Sequence, residues 1–186
     1  GTHPYLPRLA DALLDGQLQA MGAVLIEGVK GCGKTETARR RAASEVLLDV
    51  DPQAERRAEL DPRLVLDGAA PRLLDEWQRA PRVWDAVRRS VDERRSPGQF
   101  ILTGSATPRD EAARHSGAGR FGTLRMRTMT LTEMEATSSA VSVRQLLDDA
   151  AVGPTNSPTT VRDYLHHIAV GGWPLLVGAS EATART

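Results

Sequence analysis

The sequence is poor in cysteine, lysine and long apolar runs, and each shortage excludes a class of protein. Its one cysteine, Cys32, cannot form an internal disulfide, and its four histidines show no zinc-ligand spacing with it. We therefore expect a reducing, cytoplasmic setting. No apolar run approaches the ~20 residues that a membrane span needs, and no signal-peptide pattern opens the chain. The sequence therefore predicts a soluble protein.

Charge of one sign is also not in excess. The chain has 24 basic and 24 acidic residues, and its arginine runs, such as residues 39–41, have acids nearby. This balance favours solvated helix surfaces over a nucleic-acid or membrane partner. With 40% apolar and 26% charged residues among 186, the chain predicts one globular domain with room for a small subdomain.

Short apolar runs alternate with segments of helical periodicity. Strands are predicted over residues 23–27, 46–50, 72–76, 99–103 and 123–131. Helices are predicted over residues 5–20, 34–44, 53–60, 81–95, 143–151 and 159–170, and a loop over 105–120. This alternation is typical of the α/β class and predicts a mostly parallel five-stranded sheet with helices on both faces. Ligands of such sheets bind at the carboxyl ends of the strands.

A glycine-rich segment follows the first predicted strand. It matches G-x-x-x-x-G-K-[ST] at every fixed position, a spacing that turns backbone N–H groups toward phosphate oxygens. Lys34 is predicted to bridge the β- and γ-phosphates of ATP, and the Thr35 hydroxyl to bind Mg²⁺. The alternative is a glycine-rich turn that matches by accident. The predicted nucleotide-binding residues are Gly28, Val29, Lys30, Gly31, Cys32, Gly33, Lys34, Thr35 and Glu36.

An acidic pair ends the third predicted strand. Asp75 is predicted to complete the Mg²⁺ site, and Glu76 to accept a proton from the water that attacks the γ-phosphate. The alternative is that both acids cap the helix that follows. Asp49 and Asp51 are rival metal ligands, but the proline after Asp51 indicates a plain turn.

Two further elements are predicted to act on the γ-phosphate. In ATPases with a base after the metal-binding aspartate, an extra strand lies between the phosphate-loop strand and the acidic strand. Its polar end here is Thr103 or Ser105, which would contact the γ-phosphate or the water; an ordinary strand-end turn is the alternative. Arg120 follows a glycine-rich stretch and would stabilise transition-state charge, from its own chain or a neighbouring one. A solvated surface arginine is the alternative.

This ordered combination resembles the AAA-like ATPases of bacteria and archaea, which pair an N-terminal P-loop domain with a C-terminal domain of unknown, sometimes nuclease-like, function. The resemblance lies in Tyr5-x-x-Arg8-x-x-Asp11, residues 28–35, Leu74-Asp75-Glu76-Trp77-Gln78 with Pro81 and Trp84, and residues 102–105, 116–120 and 171–174. It implies an ATPase core over residues 1–131 and a partial helical lid or linker over 132–186. It also implies a parent protein that continues past this fragment, with a homo-oligomer or protein partner engaged through the missing domain.

The predicted function is Mg²⁺-dependent ATP binding and hydrolysis. A small-molecule or nucleoside kinase is one alternative, and a regulatory switch that binds nucleotide with little turnover is another. A GTPase is disfavoured, because guanine selection there uses an Asn-Lys-x-Asp element. Both lysines of this chain, Lys30 and Lys34, already lie in the glycine-rich loop.

Overall fold

The computed structural model describes residues 5–105, 119–137, 141–148, 151, 153 and 156–178. The predicted loop over 105–120 therefore lies largely outside the described residues. Contacts divide the chain into two compact units, one comprising Arg8–Arg127 and the other Gly1–Pro7 with Thr128–Thr186.

The first unit is a five-stranded sheet covered by helices, as predicted. The strands are β1 Ala23–Gly28, β2 Ser44–Leu47, β3 Arg72–Asp75, β4 Phe100–Gly104 and β5 Phe121–Met126. The helices are α1 Leu9–Ala20, α2 Lys34–Arg39, α3 Pro52–Leu60 and α4 Arg82–Arg94, with 3-10 turns at Pro62–Val65 and Trp77–Arg79. Every strand pair is parallel, in the order β2-β3-β4-β1-β5. The prediction of an extra strand between the glycine-rich loop and the acidic strand is therefore confirmed.

The register brings the three polar strand ends to one edge. Leu102 of β4 pairs with Leu25 of β1 on one side and with Leu74 of β3 on the other. Because the strands run parallel, Gly28, Asp75 and the end of β4 leave the sheet side by side. This edge holds the candidate site.

The three central strands, β1, β3 and β4, are buried on both faces, as near-continuous apolar strands require. On one face, Leu25 and Leu102 belong to a core that includes Val87 of α4. Alternation along β1 leaves Val24 and Ile26 on the opposite face, where α1 and α2 contact this strand. Trp84 of α4 stacks on the Phe121 ring, with 4.0 Å between ring centroids. Trp84 is buried, so this ring contact is part of the packing of α4 against the sheet.

Several helices and strands begin or end at residues other than those predicted, because strand pairing fixes their limits. The helix predicted to reach residue 44 ends at Arg39, because the Ala43 N–H already donates to the Pro71 carbonyl at 2.8 Å ahead of β2. β5 begins at Phe121 and ends at Met126, where its pairing with Ala23 and Gly28 of β1 begins and ends. Tertiary pairing overrides intrinsic helix and strand preference at these points.

The second unit is helical within its described residues. It contains α5 Val143–Leu147, α6 Val161–Val170 and a 3-10 turn at Pro174–Leu176. The Thr160 and Asp163 side chains cap the start of α6 reciprocally. The Met129 N–H donates to the Gly172 carbonyl at 2.6 Å. The assignment of this second unit as a partial lid stays a prediction. No helix in the described part of the chain has the length and apolar character that a membrane crossing requires.

Candidate functional site

The glycine-rich loop after β1 exposes unpaired backbone donors. Gly31 and Gly33 have φ of 83° and 100°, a left-handed conformation that glycine adopts at little cost. Within the described residues, the N–H groups of Gly31, Gly33 and Lys34 have no backbone acceptor, whereas that of Cys32 donates to the Val29 carbonyl at 3.3 Å. Successive free N–H groups in such a turn form an anion-binding concavity.

Lys34 lies across this loop. Its residue is 5% exposed, and its Nζ donates to the carbonyls of Gly28 at 2.9 Å and Val29 at 3.0 Å. An ammonium has three donors, so these bonds leave one for an anion. Lys30 and Val29 are exposed in the same loop, and Cys32 is fully buried. The buried Lys34 side chain is therefore held where a phosphate would meet the loop.

Thr35 and Asp75 meet across the sheet edge. The Thr35 hydroxyl, in the first turn of α2, donates to Asp75 Oδ1 at 2.9 Å. A hydroxyl beside a carboxylate is an all-oxygen donor set, which fits Mg²⁺ when phosphate oxygens and water complete the shell. The described residues contain no group of three or more His, Cys, Asp or Glu side chains close enough to hold a metal by themselves. The site therefore fits a metal delivered with a nucleotide.

The rival aspartates are placed differently. Asp51 accepts a hydrogen bond from the Gln53 N–H at 2.9 Å and so caps the start of α3. Asp49 is exposed in the turn after β2. Their interpretation as part of a turn agrees with this geometry.

Thr103 is hydrogen-bonded to the acidic pair. It is fully buried, its hydroxyl donates to Asp75 Oδ1, and it accepts a hydrogen bond from the Glu76 N–H at 3.4 Å. Its one hydroxyl proton is therefore used inside the protein. Thr103 therefore supports Asp75 from the buried side, and the predicted contact of Thr103 or Ser105 with the γ-phosphate or the water stays a prediction. Ser105, two residues after Thr103, is exposed and accepts a hydrogen bond from Gln78 Nε2 at 3.4 Å.

Glu76 has a strained backbone. Its φ of 53° and ψ of 46° are left-handed, which costs a residue with a side chain about 1–3 kcal/mol. Its side chain makes no capping bond to the 3-10 turn that follows, and Oε2 instead accepts a hydrogen bond from Gln78 Nε2. The Asp75 carboxylate is likewise engaged by Thr35 and Thr103. The capping alternative is therefore not supported, because Glu76 makes no capping bond and the Asp75 carboxylate accepts hydrogen bonds from two hydroxyls.

Gln78 contacts Glu76, although the sequence indicates it only as part of the family pattern. A Cβ at position 104 would lie 2.4 Å from Gln78 Oε1 and 3.0 Å from Trp77 Nε1, so Gly104 provides the space for both side chains. Both of these atoms are buried without a hydrogen-bond partner in the part of the chain that the structure describes. The ionised carboxylate of Glu76 can only accept hydrogen bonds, so the Gln78 amide must bind it through an N–H group. The sequence signal for this contact was Gly104, directly after Thr103, because a glycine there leaves room for the Gln78 side chain.

Arg120 lies at the opposite edge of the sheet. Its carbonyl accepts a hydrogen bond from the Ala23 N–H at 3.1 Å, and its guanidinium pairs with Asp92 of α4 at 2.5 Å. Ala23 begins β1 and Gly28 ends it, so five steps of ~3.3 Å separate the two edges by about 16 Å. Of the two predicted possibilities, this distance disfavours action within its own chain, and action from a neighbouring chain stays a prediction. Hydrogen bonds bring together the glycine-rich loop, the acidic pair and the end of β4.

A parallel sheet with this loop and acidic strand end defines a nucleotide-binding, ATPase-like domain. The chain belongs to the AAA domain family, whose sequence pattern matches residues 21–135.

Two mycobacterial relatives are similar over part of the chain. The uncharacterized proteins Mb2031c of Mycobacterium bovis and Rv2008c of Mycobacterium tuberculosis are each 33% identical to it over 104 residues, 54% of this chain. The match spans only 24% of the length of either relative. Among solved structures, Caenorhabditis elegans PCH-2 is 14% identical, with a TM-score of 0.35 over 67% of this chain and 42% of that one.

Proposed function

We propose that this domain binds ATP with Mg²⁺ and hydrolyses it to ADP and phosphate. The observation that carries the proposal is the 2.9 Å contact between the Thr35 hydroxyl and Asp75, beside a loop that Lys34 crosses. A hydroxyl, a carboxylate and an ammonium converge there on a concavity of free N–H groups. That combination suits a polyphosphate with its cation better than a single uncharged ligand.

The binding roles follow from the contacts. The backbone N–H groups of Gly31, Gly33 and Lys34 would hold phosphate oxygens, and the Lys34 ammonium would add its remaining donor. Thr35 and Asp75 would hold Mg²⁺, whose charge offsets that of the β- and γ-phosphate oxygens. Thr103 keeps the Asp75 carboxylate oriented from the buried side.

The hydrolytic role falls to Glu76. A carboxylate directly after the metal-binding strand end can accept a proton from water as the water attacks the γ-phosphate. Gln78 donates to one of its two oxygens, which fixes the carboxylate and leaves the other oxygen for water. Ser105 lies on the far side of the Gln78 amide and is the remaining polar group of this edge proposed to face the γ-phosphate.

Replacing Asp75 with asparagine tests the metal site. We expect Asp75→Asn to weaken ADP binding by ~10-fold when Mg²⁺ is present and to change it little in EDTA, because the neutral amide is a poorer cation ligand. Calorimetric titration of ADP with and without Mg²⁺ measures both values. Asp49→Asn is the matched control and should behave as wild type. Equal losses in Mg²⁺ and in EDTA would argue against a metal role for Asp75.

A role for Arg120 at the γ-phosphate requires a second copy of the chain. Its pair with Asp92 is partly exposed, and such pairs contribute little stability, so Arg120 can exchange partners. We expect a mixture of Arg120→Ala and Lys34→Ala proteins to hydrolyse ATP faster than the sum of the two alone, since each supplies what the other lacks. Colorimetric phosphate release measures the rates. A strictly additive mixture would place Arg120 outside the reaction.

A further inference from the structure

Arg8 is a buried cation that contacts the glycine-rich loop from behind. It precedes α1, is 8% exposed, and its backbone N–H donates to Asp11 Oδ2 at 2.9 Å. Its Nη1 donates to the carbonyl of Cys32 at 2.7 Å, and its Nη2 to the carbonyl of Arg127 at 2.9 Å. A buried guanidinium destabilises a fold unless its donors are satisfied. Here two of its acceptors are backbone carbonyls 95 positions apart in the chain, one at the loop and one just after β5.

The bond to the Cys32 carbonyl sets the direction of the next amide. In a planar trans peptide the C=O and the following N–H point in opposite directions. Because Arg8 holds the Cys32 carbonyl on its own side, the N–H of Gly33 points away from Arg8. That N–H is among the loop donors without a backbone acceptor in the described residues. Arg8 therefore turns a donor toward the concavity without lying in it.

The second bond fixes the loop relative to the sheet. Arg127 directly follows β5, and β5 pairs with β1 up to Gly28, where the loop begins. The planar guanidinium donates to both carbonyls at once, each through a different nitrogen of its rigid fork. Arg8 thus connects the middle of the loop to the strand beside its start.

We propose that Arg8 is a positioning residue that holds the phosphate loop preformed for an anion. The proposal rests on the proposed function for its consequence, which is tighter nucleotide binding. Its structural part, a loop ordered before nucleotide arrives, can be measured without any nucleotide.

Cys32 is a native reporter of loop order. It is the only cysteine in the chain, it is fully buried, and its own carbonyl is the Arg8 acceptor. We expect Arg8→Met to raise the rate of Cys32 modification by a thiol-reactive disulfide reagent at least ~10-fold without nucleotide, because a loosened loop exposes the thiol more often. ADP binding, measured by calorimetry, should weaken by a similar factor. Arg8→Lys should fall between wild type and Arg8→Met in both measurements.

Arg41→Met is the matched control. Arg41 also holds α1, through bonds of 2.6 and 2.8 Å to the Asp15 carboxylate, and these bonds lower the pKa of Asp15. Its guanidinium pairs with carboxylates of α1, Asp15 at 2.6 Å and Asp11 at 3.9 Å, so its loss should leave the Cys32 rate within twofold of wild type. An equal acceleration in Arg41→Met would mean that loosening α1 is enough, and would overturn the proposal.

Two outcomes separate this proposal from the proposed function. A wild-type protein that binds no ADP, with Cys32 still faster in Arg8→Met, would overturn the function and keep the positioning role. Normal ADP binding and an unchanged Cys32 rate in Arg8→Met would overturn the positioning role alone. If Arg8→Met shows no cooperative thermal unfolding, the Cys32 rate of Arg8→Lys decides: a wild-type rate there contradicts the proposal.

Discussion

Lys34→Ala is expected to weaken ATP binding by ~10- to 100-fold. The ammonium is buried at the loop, and its one remaining donor is proposed to make a charge-assisted hydrogen bond to the phosphates. A bond of this kind contributes about 1.5–3 kcal/mol. Its loss corresponds to about one to two orders of magnitude in Kd. Calorimetric titration of ATP into wild type and variant measures it.

The control for this substitution removes a cation elsewhere. Arg57 on α3 is largely exposed and lies 3.7 Å from Asp51 across an ion pair. Arg57→Ala should bind ATP as wild type does, which shows that the Lys34 effect is local rather than a change in net charge. If Lys34→Ala binds nucleotide within a few-fold of wild type, the glycine-rich loop is not the phosphate-binding site.

Glu76→Gln is expected to bind ATP with wild-type affinity and to hydrolyse it at least ~100-fold more slowly. The amide has the shape of the carboxylate but cannot accept a proton from water, and general bases contribute 10²–10⁴-fold to rates. Binding is spared because Lys34, Thr35 and Asp75 are unchanged. Single-turnover phosphate release with saturating enzyme measures the chemical step separately from binding.

The same substitution at a distant acid is the comparison. Glu45 is the second residue of β2, lies opposite Leu73 of β3, and forms an ion pair with Arg39 on the surface. Glu45→Gln should release phosphate at the wild-type rate. A Glu76→Gln protein that hydrolyses ATP normally would show that another group takes the proton.

Much of the fold follows from local patterns. β1 and β4 are short, apolar and bounded by glycine, so their existence and type were readable, and α4 was predicted to within a residue at each end. The glycine-rich loop is one contiguous segment in which sequence spacing determines local geometry. Lys34 and Thr35 could therefore be placed at the end of this loop without tertiary information.

Other features of the candidate site could not be predicted from the sequence, because they depend on how distant segments of the chain pack together. Thr103 and Ser105 were equivalent candidates until the burial of β4 separated them. Gln78 contacts Glu76 only because the turn after β3 packs over Gly104. Arg120 had an overlooked signal: it directly precedes a strand, and in an all-parallel sheet such a residue lies at the edge away from the ligand.

The most direct test of the account is to follow γ-labelled ATP on the purified chain in Mg²⁺ with no acceptor present, beside Glu76→Gln. We predict that wild type releases equal amounts of ADP and free phosphate, that EDTA stops this release, and that Glu76→Gln retains intact ATP. ATP that stays bound and unhydrolysed on the wild-type chain, or label that leaves only when an acceptor molecule is added, would contradict Mg²⁺-dependent hydrolysis.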